Sequence, residues 1–242
     1  MNGSLLYHEF ALYYDLIHAR YDYAGQAAAL HDLLLGHGVP DGSHVLEAAC
    51  GTGSYLARLK RHYAVSGFDR SEAMLQIARR KLPDVPLFCA DLRDFHCPAP
   101  VDAILCLCSA IAYLRSVDEL AAAVCGFARA LRHGGVLVLR PWLTSAQATE
   151  GLSWMDAFDG DGLKLCRQAV LKRQGRDSIL DFHWLVATPG AGVAHSVDRH
   201  VLRLFEDQEI GAALSQCGLS GRQIMFEGFG QPLWVARRAG RT

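Results

Sequence analysis

The stretch His44-Val-Leu-Glu-Ala-Ala-Cys50-Gly51-Thr-Gly53-Ser-Tyr-Leu56 decides the fold. Residues 44–49 form a short apolar run that reads as a buried strand, and it leads directly into a two-glycine loop. Glycines there let the chain turn sharply and let its backbone approach a bulky ligand. The same unit recurs downstream. Ala64 to Phe68 predicts a second strand, ending at Asp69; Ser71 caps a helix over Glu72–Leu82, closed by Pro83. Leu87–Ala90 predicts a third strand, ending at Asp91, and Val101–Cys108 a fourth. Ser116-Val-Asp-Glu119 predicts a capping box for a helix reaching Leu131, after which Gly134-Gly135 turn into a fifth strand, VLVLRPW. Strands alternating with helices imply α/β architecture: a parallel, Rossmann-like sheet with helices on both faces.

The flanks differ in texture. Residues 24–36 predict a helix stopped by Gly36. After Pro141, extended runs between 162 and 204 are separated by glycine-rich turns, which predicts an antiparallel β-meander. A helix over 206–217 and strands over 221–229 and 231–237 follow. The expected organisation is one unit, 1–242. It comprises an N-terminal helical cap (1–36), a ligand-binding core (37–142), an antiparallel insertion covering the site (143–204), and a closing helix with strands (205–242). A sheet inserted into an α/β unit calls for a reason, and covering an active site is a common one.

Composition narrows the function. The 242 residues are 51% hydrophobic and 20% charged, with a formal net charge of −1. That excludes a largely disordered chain and supplies no long-range attraction to nucleic acid or an anionic membrane. No run of about 18 apolar residues occurs, so no membrane span is expected. The start, MNGSLLYHEFALYYD, lacks the basic region of a signal peptide. Eight cysteines include no Cys-x-x-Cys pair, and they read as free, buried thiols in a reducing cytoplasm. No metal site is expected.

Acids end three successive strand units: Glu47, Asp69 and Asp91. In open α/β sheets, ligands bind beyond the carboxyl ends of the strands, where strand order reverses. Asp69, 16 residues after Gly53, is placed to accept hydrogen bonds from a ribose diol; the plainer alternative is a cap for the next helix. Asp91 is placed for an adenine amino group, or else caps its own turn. A dinucleotide fingerprint requires a third glycine where Leu56 stands, and no Gly-Lys-Ser/Thr follows for a nucleoside-triphosphate loop.

With those residues read, VLEAACGTGSYL, VSGFDRSEAML, LFCADLRDF, VDAILCLCSAIAYL and LRHGGVLVLRPW resemble the class I S-adenosylmethionine (SAM)-dependent methyltransferases across 44–142. The segments YYDLIHARYDYAGQAAAL and FHWLVATPGAGVAHSVDRHVLRLFEDQEI resemble the sugar N,N-dimethyltransferases of macrolide amino-sugar biosynthesis. The resemblance implies roles. Glu47 and the loop Ala49, Cys50, Gly51 and Gly53 would hold the methionine part of SAM. Asp69 would take the ribose, Arg70 and Met74 would flank the adenine, and Asp91 and Leu92 would meet its edge. Cys108 and Ser109 would line the methyl-donor site, and Tyr14 and Tyr23 would come from the cap. Tyr113, Arg140, Trp142 and His200 stand on the substrate side. Two departures stand out. Glu47 replaces the more usual Asp, and Arg140 stands where related sugar enzymes carry an acid, which favours a carboxylate or phosphate on the acceptor.

The expected reaction is SN2 methyl transfer from SAM to a small-molecule amine, such as a nucleotide-linked amino sugar, leaving S-adenosylhomocysteine. An amine needs orientation more than a strong base. Tyr14 or His183 would take the released proton, and one of His183, His195 and His200 would touch substrate. A hydroxyl acceptor, making the chain an O-methyltransferase, would need a histidine base from the meander. A SAM-binding regulatory module without chemistry is the reading from another class. A homodimer pairing through the meander is the expected assembly.

Overall fold

The computed structural model describes residues 4–240. Short 3-10 turns, Leu5–Tyr7 and Ala11–Tyr13, precede helices α1 (Tyr14–Ile17) and α2 (Tyr23–Gly36). The core then alternates: β1 (His44–Ala48), α3 (Leu56–Leu59), β2 (Ala64–Asp69), α4 (Glu72–Lys81), β3 (Leu87–Cys89), β4 (Val101–Cys106), α5 (Val117–Ala130) and β5 (Leu131–Leu139). Four long strands follow, β6 (Ser153–Gly160), β7 (Leu163–Gln174), β8 (Asp177–Thr188) and β9 (Gly192–Arg203). Helix α6 (Asp207–Gln216) and strands β10 (Leu219–Phe226) and β11 (Gln231–Arg238) complete the chain.

Seven strands form the main sheet in the order β10-β11-β5-β4-β1-β2-β3. Pairs from β5 to β3 are parallel; β11 runs antiparallel to β5 and to β10. The order reverses at β1, whose neighbours are β2 and β4, so the loop after β1 opens at the crevice. Alternate residues serve the two faces, as the two-residue strand period requires. Leu46, Ala48, Ile104, Cys106, Leu137 and Leu139 face α5 and α6, against Leu120, Val124, Phe127, Ile210 and Leu214. Val45, Ala103, Leu105, Val136 and Val138 face the opposite core with Leu30, Leu34, Leu56 and Leu59.

The meander is a separate four-stranded antiparallel sheet, β6-β7-β8-β9. Its inner face (Leu165, Ala169, Leu180, Phe182, Trp184, Leu202) packs on Leu6 and Ile17 of the N-terminal segment. Trp184 is fully buried there. The sequence reading misses β6. Its inward residues are Trp154, Asp156 and Phe158, and the acid breaks the apolar alternation.

Three local expectations change. Cys125 and Cys217 form a disulfide joining α5 to the end of α6, so these two are not free thiols. Their 92-residue separation puts the pairing beyond local sequence. At α5, Ser116 Oγ accepts from the Glu119 N–H at 3.1 Å, but the Glu119 carboxylate turns to the Arg115 N–H at 2.7 Å, which leaves half a capping box. The reciprocal box forms instead between Glu206 and Glu209 at α6. Strand β5 also starts earlier than expected, and it absorbs His133-Gly134-Gly135 as an irregularity in its pairing with β4.

Candidate active site

The strand ends carry backbone strain. Ala49 follows β1 with φ of 54°, and Cys108 and Ser109 follow β4 with φ of 53° and 60°. Non-glycine residues in this left-handed region cost about 1–3 kcal/mol each and cluster at functional sites. The glycines between them are required. Gly53 has φ of 76°, and a Cβ there would meet Leu82 Cδ1 at 2.8 Å; at Gly51 it would meet Met74 Cε at 3.3 Å. Cys50 is buried under the loop, and burial pushes its thiol well above the usual range, so it packs as a small apolar residue.

Asp69 is both a loop anchor and a helix-turn acceptor. Its Oδ2 accepts from the Gly51 N–H and its Oδ1 from the Ser71 N–H, each at 2.8 Å. Burial raises its pKa and these N–H groups hold it back. Glu47 is buried, and its Oε2 has no hydrogen-bond partner among the described residues. Burial pushes its carboxyl well above the ordinary carboxylate range. An orphaned buried carboxylate oxygen beside the glycine loop fits an ammonium group such as that of the SAM methionine.

The other expected cofactor residues divide. Asp91 is held by Arg93, Nε to Oδ1 at 2.8 Å and Nη2 to Oδ2 at 2.9 Å, which lowers its pKa. Leu92 packs on the core. Met74 is 1% exposed and supports Gly51 from beneath, with no open face toward an adenine. Arg70 is exposed.

Beside the loop lies a pocket between the N-terminal segment and the meander. Tyr14, Tyr23, Cys108, Ser109, Tyr113, Arg140, Trp142 and His200 all line it. Trp142 donates its indole N–H to Ser178 Oγ at 2.9 Å, and Ser109 Oγ donates to the Pro141 carbonyl at 3.0 Å. Arg140 stacks its guanidinium 4.6 Å over Phe229 and donates to Gln231 Oε1 at 3.2 Å; its Nε has no partner. It makes no ion pair among the described residues, so its charge is available to a ligand.

His183 is not in this pocket. Leu180, Phe182 and Trp184 point inward, so strand alternation turns His183 outward. It stacks on His195, with Nδ1 and Nε2 3.0 Å apart, on the exposed face. His200 is the meander histidine that faces inward. The alternation was available in the sequence as Leu180-x-Phe182-x-Trp184.

Residues the sequence reading missed also line the pocket: Tyr7, His18, Trp154, Asp156 and Arg167. Arg167 pairs with Asp156 and lies 4.5 Å over the Phe182 ring. His18 donates Nδ1–H to the Tyr14 carbonyl at 2.8 Å; burial, with Arg167 nearby, lowers its pKa to about 4, so it is neutral. Outside the pocket, His31, Asp41 and His62 can place one ligand atom each within 4.8 Å of one another. The two imidazoles there stack at 3.9 Å, and both Nδ1 atoms lie near Asp41 Oδ1, at 3.7 Å from His31 and 3.6 Å from His62.

Comparison with known proteins decides the family. A methyltransferase-domain pattern matches residues 45–135. The dTDP-3-amino-3,4,6-trideoxy-alpha-D-glucopyranose N,N-dimethyltransferase of Streptomyces venezuelae is 36% identical over 215 residues, covering 88% of this chain and 90% of that protein. This chain belongs to the sugar N,N-dimethyltransferase family. As a member of it, the protein is a SAM-dependent methyltransferase with the class I fold. The crystal structure of Streptomyces venezuelae DesVI superposes with a TM-score of 0.87 at 34% identity, covering 95% of this chain and 97% of that one. SAM-bound CalS10, an amino pentose methyltransferase from Micromonospora echinaspora, gives a TM-score of 0.84 at 31% identity, with 96% of each chain covered. Among the described residues no helix of this dimethyltransferase-family enzyme is long and apolar enough to cross a membrane.

Proposed function

We infer that the enzyme methylates the amino group of a nucleotide-linked deoxyamino sugar. The observation that supports this most is the end-to-end likeness to dTDP-amino-sugar N,N-dimethyltransferases at 34–36% identity. When bound, SAM supplies a methyl group already activated on sulfur. The protein's own work is then alignment. Glu47, the Gly51–Gly53 loop and Asp69 hold the cofactor, with Asp91, Leu92 and Arg70 at the adenine end. Tyr14 and Tyr23 close over it from the N-terminal segment. Trp142, Tyr113 and His200 wall the acceptor side, and Arg140 binds an anionic group on the acceptor, the diphosphate being the one such a substrate carries.

A hydroxyl acceptor is the second reading, and the hydrogen bond of His200 to both Asp198 and Tyr113 favours it, because a hydroxyl needs a base. The two are separated by incubating enzyme and SAM with dTDP-amino sugars, phenols and carboxylate-bearing amines and reading mass gain. Methylation confined to phenols would sink the amino-sugar assignment.

Met155, Val170, Leu185, Val193 and Val197 are all exposed on the outer face of the meander. That apolar face supports a homodimer formed through this sheet, and sedimentation of Leu185→Lys against wild type tests it. Six free thiols against one disulfide favour a reducing compartment such as the cytoplasm.

A further inference from the structure

Three segments distant in sequence meet in one hydrogen-bonded chain beside the acceptor pocket. The Tyr7 and Tyr113 hydroxyls lie 2.8 Å apart, Tyr113 Oη is 2.6 Å from His200 Nδ1, and His200 Nε2 is 2.9 Å from Asp198 Oδ2. Asp198 is buried and receives three further donors: the Leu5 and Leu6 N–H groups, each at 2.9 Å, and Ser4 Oγ at 2.8 Å.

The direction of every proton in this chain follows from its far end. Burial alone would raise the Asp198 carboxyl, but the bonds from His200, Leu6 and Ser4 outweigh it and hold it below its ordinary value. Asp198 is therefore a carboxylate, which only accepts. A carboxylate accepts, so His200 Nε2 is the donor in that bond. In the neutral tautomer that this bond selects, Nδ1 is the acceptor facing Tyr113, and Tyr113 then donates to it and accepts from Tyr7. Burial keeps both phenols protonated, Tyr7 with a pKa pushed up to about 12 and Tyr113 well above its ordinary value. All the hydrogens point away from the pocket and toward Asp198.

We propose that Tyr7, Tyr113, His200 and Asp198 form a proton-exit relay that strips the acceptor ammonium before each methyl transfer. This rests on the amine reading above. An N–H bond of the ammonium breaks, leaving its electron pair on nitrogen as the nucleophile. The proton joins the Tyr7 oxygen while the Tyr7 hydrogen passes to Tyr113 and the Tyr113 hydrogen passes to His200 Nδ1. The result is an imidazolium facing the Asp198 carboxylate; both groups are buried, so the proton leaves by the same chain, back through Tyr113 and Tyr7 to water entering the pocket when spent cofactor is exchanged. Tyr7 is the end that touches substrate; Tyr113 and His200 line the pocket behind it, and Asp198 acts through His200 as a positioning residue. Tyr7 is also fixed toward the cofactor side, because Ser71 Oγ donates to its carbonyl.

The other charged groups facing the relay do not compete for the proton. Arg167 of β7 is neutralised by Asp156 of β6, and Asp69, near Tyr7, is engaged by Gly51 and Ser71. From β8, Phe182 turns its ring toward His200 at 5.1 Å, while Asp181 points outward to Arg199.

The relay matters most between two transfers, when a monomethyl ammonium must lose a proton without leaving. The test uses the whole enzyme, SAM and dTDP-3-amino-3,4,6-trideoxy-α-D-glucopyranose, with wild type, Tyr113→Phe and His200→Gln. The mono- to dimethyl product ratio is read from about pH 7 to about pH 9. The variants should accumulate monomethyl product near neutrality, with a second transfer slowed on the order of 10²- to 10⁴-fold. They should recover as solvent base deprotonates the amine. A merely structural role predicts a uniform loss with no recovery at high pH. Melting and S-adenosylhomocysteine binding confirm that a variant is folded, and either variant alone suffices for the comparison. If wild type makes dimethyl product and the folded variants keep its ratio and pH profile, the relay is wrong while the amine reading stands. If wild type transfers no methyl to the amine, the amine reading falls and the relay falls with it.

Discussion

The Thr52 hydroxyl donates to Asp15 Oδ1 at 2.6 Å, so helix α1 is latched onto the glycine loop after β1. Lys81 of α4 holds the other Asp15 oxygen at 2.5 Å. The N-terminal segment thus closes over the glycine loop proposed to hold the cofactor, and Tyr14 is carried on the same short helix.

Thr52→Val should loosen this latch without emptying the core beneath it. A hydrogen bond to a charged acceptor contributes about 1.5–3 kcal/mol, so SAM should bind roughly 10- to 100-fold more weakly. Calorimetric titration checks it. An unchanged dissociation constant would mean that the latch does not couple to cofactor binding.

Glu47 gives a pH signature. Its folded pKa is raised by burial, so the folded protein holds that proton more tightly than the unfolded chain. The folded state is therefore progressively disfavoured as pH rises above the unfolded carboxylate value of about 4.3. Glu47→Gln removes this cost and should raise the melting temperature of the cofactor-free protein near pH 7. It should also weaken SAM binding and flatten its rise with pH, since the carboxylate is the form that pairs with an ammonium. A variant that keeps full affinity would exclude this role.

The Cys125–Cys217 bridge closes a 92-residue loop between α5 and α6. Disulfides of this kind contribute about 2–4 kcal/mol. Reduction, or Cys125→Ser with Cys217→Ser, should lower melting by roughly 5–15 °C for a chain this size. Identical melting of oxidised and reduced protein would show that the bridge adds nothing.

Arg140 should govern recognition of charge on the acceptor. Arg140→Ala should raise KM for a nucleotide-linked sugar by about 10-fold or more and leave kcat within about twofold, because the lost contact is uniform binding. A matched sugar without the diphosphate should show no such change. Equal losses on both acceptors would remove Arg140 from anion recognition.

Much of the candidate site is legible in the sequence. Gly51, Gly53, Asp69 and Glu47 are tied to strand ends, and strand ends follow from hydrophobic runs a few residues long. Even the outward turn of His183 is legible in Leu180-x-Phe182-x-Trp184 through the two-residue strand period. The Arg167–Asp156 pair was hidden for the converse reason: charged residues on an inner face look like surface in a linear pattern.

By itself, then, the sequence determined the α/β alternation, the loop after β1 and the acids at the strand ends, because those depend on local periodicity and backbone freedom. Only the tertiary structure decided that Tyr7, Tyr113, His200 and Asp198 share one hydrogen-bonded chain, that Thr52 meets Asp15 and that Cys125 meets Cys217. Hydrogen bonds and disulfides act over a few ångströms, and the distances between residues far apart in the chain are set by how whole elements pack, which no short window of sequence contains.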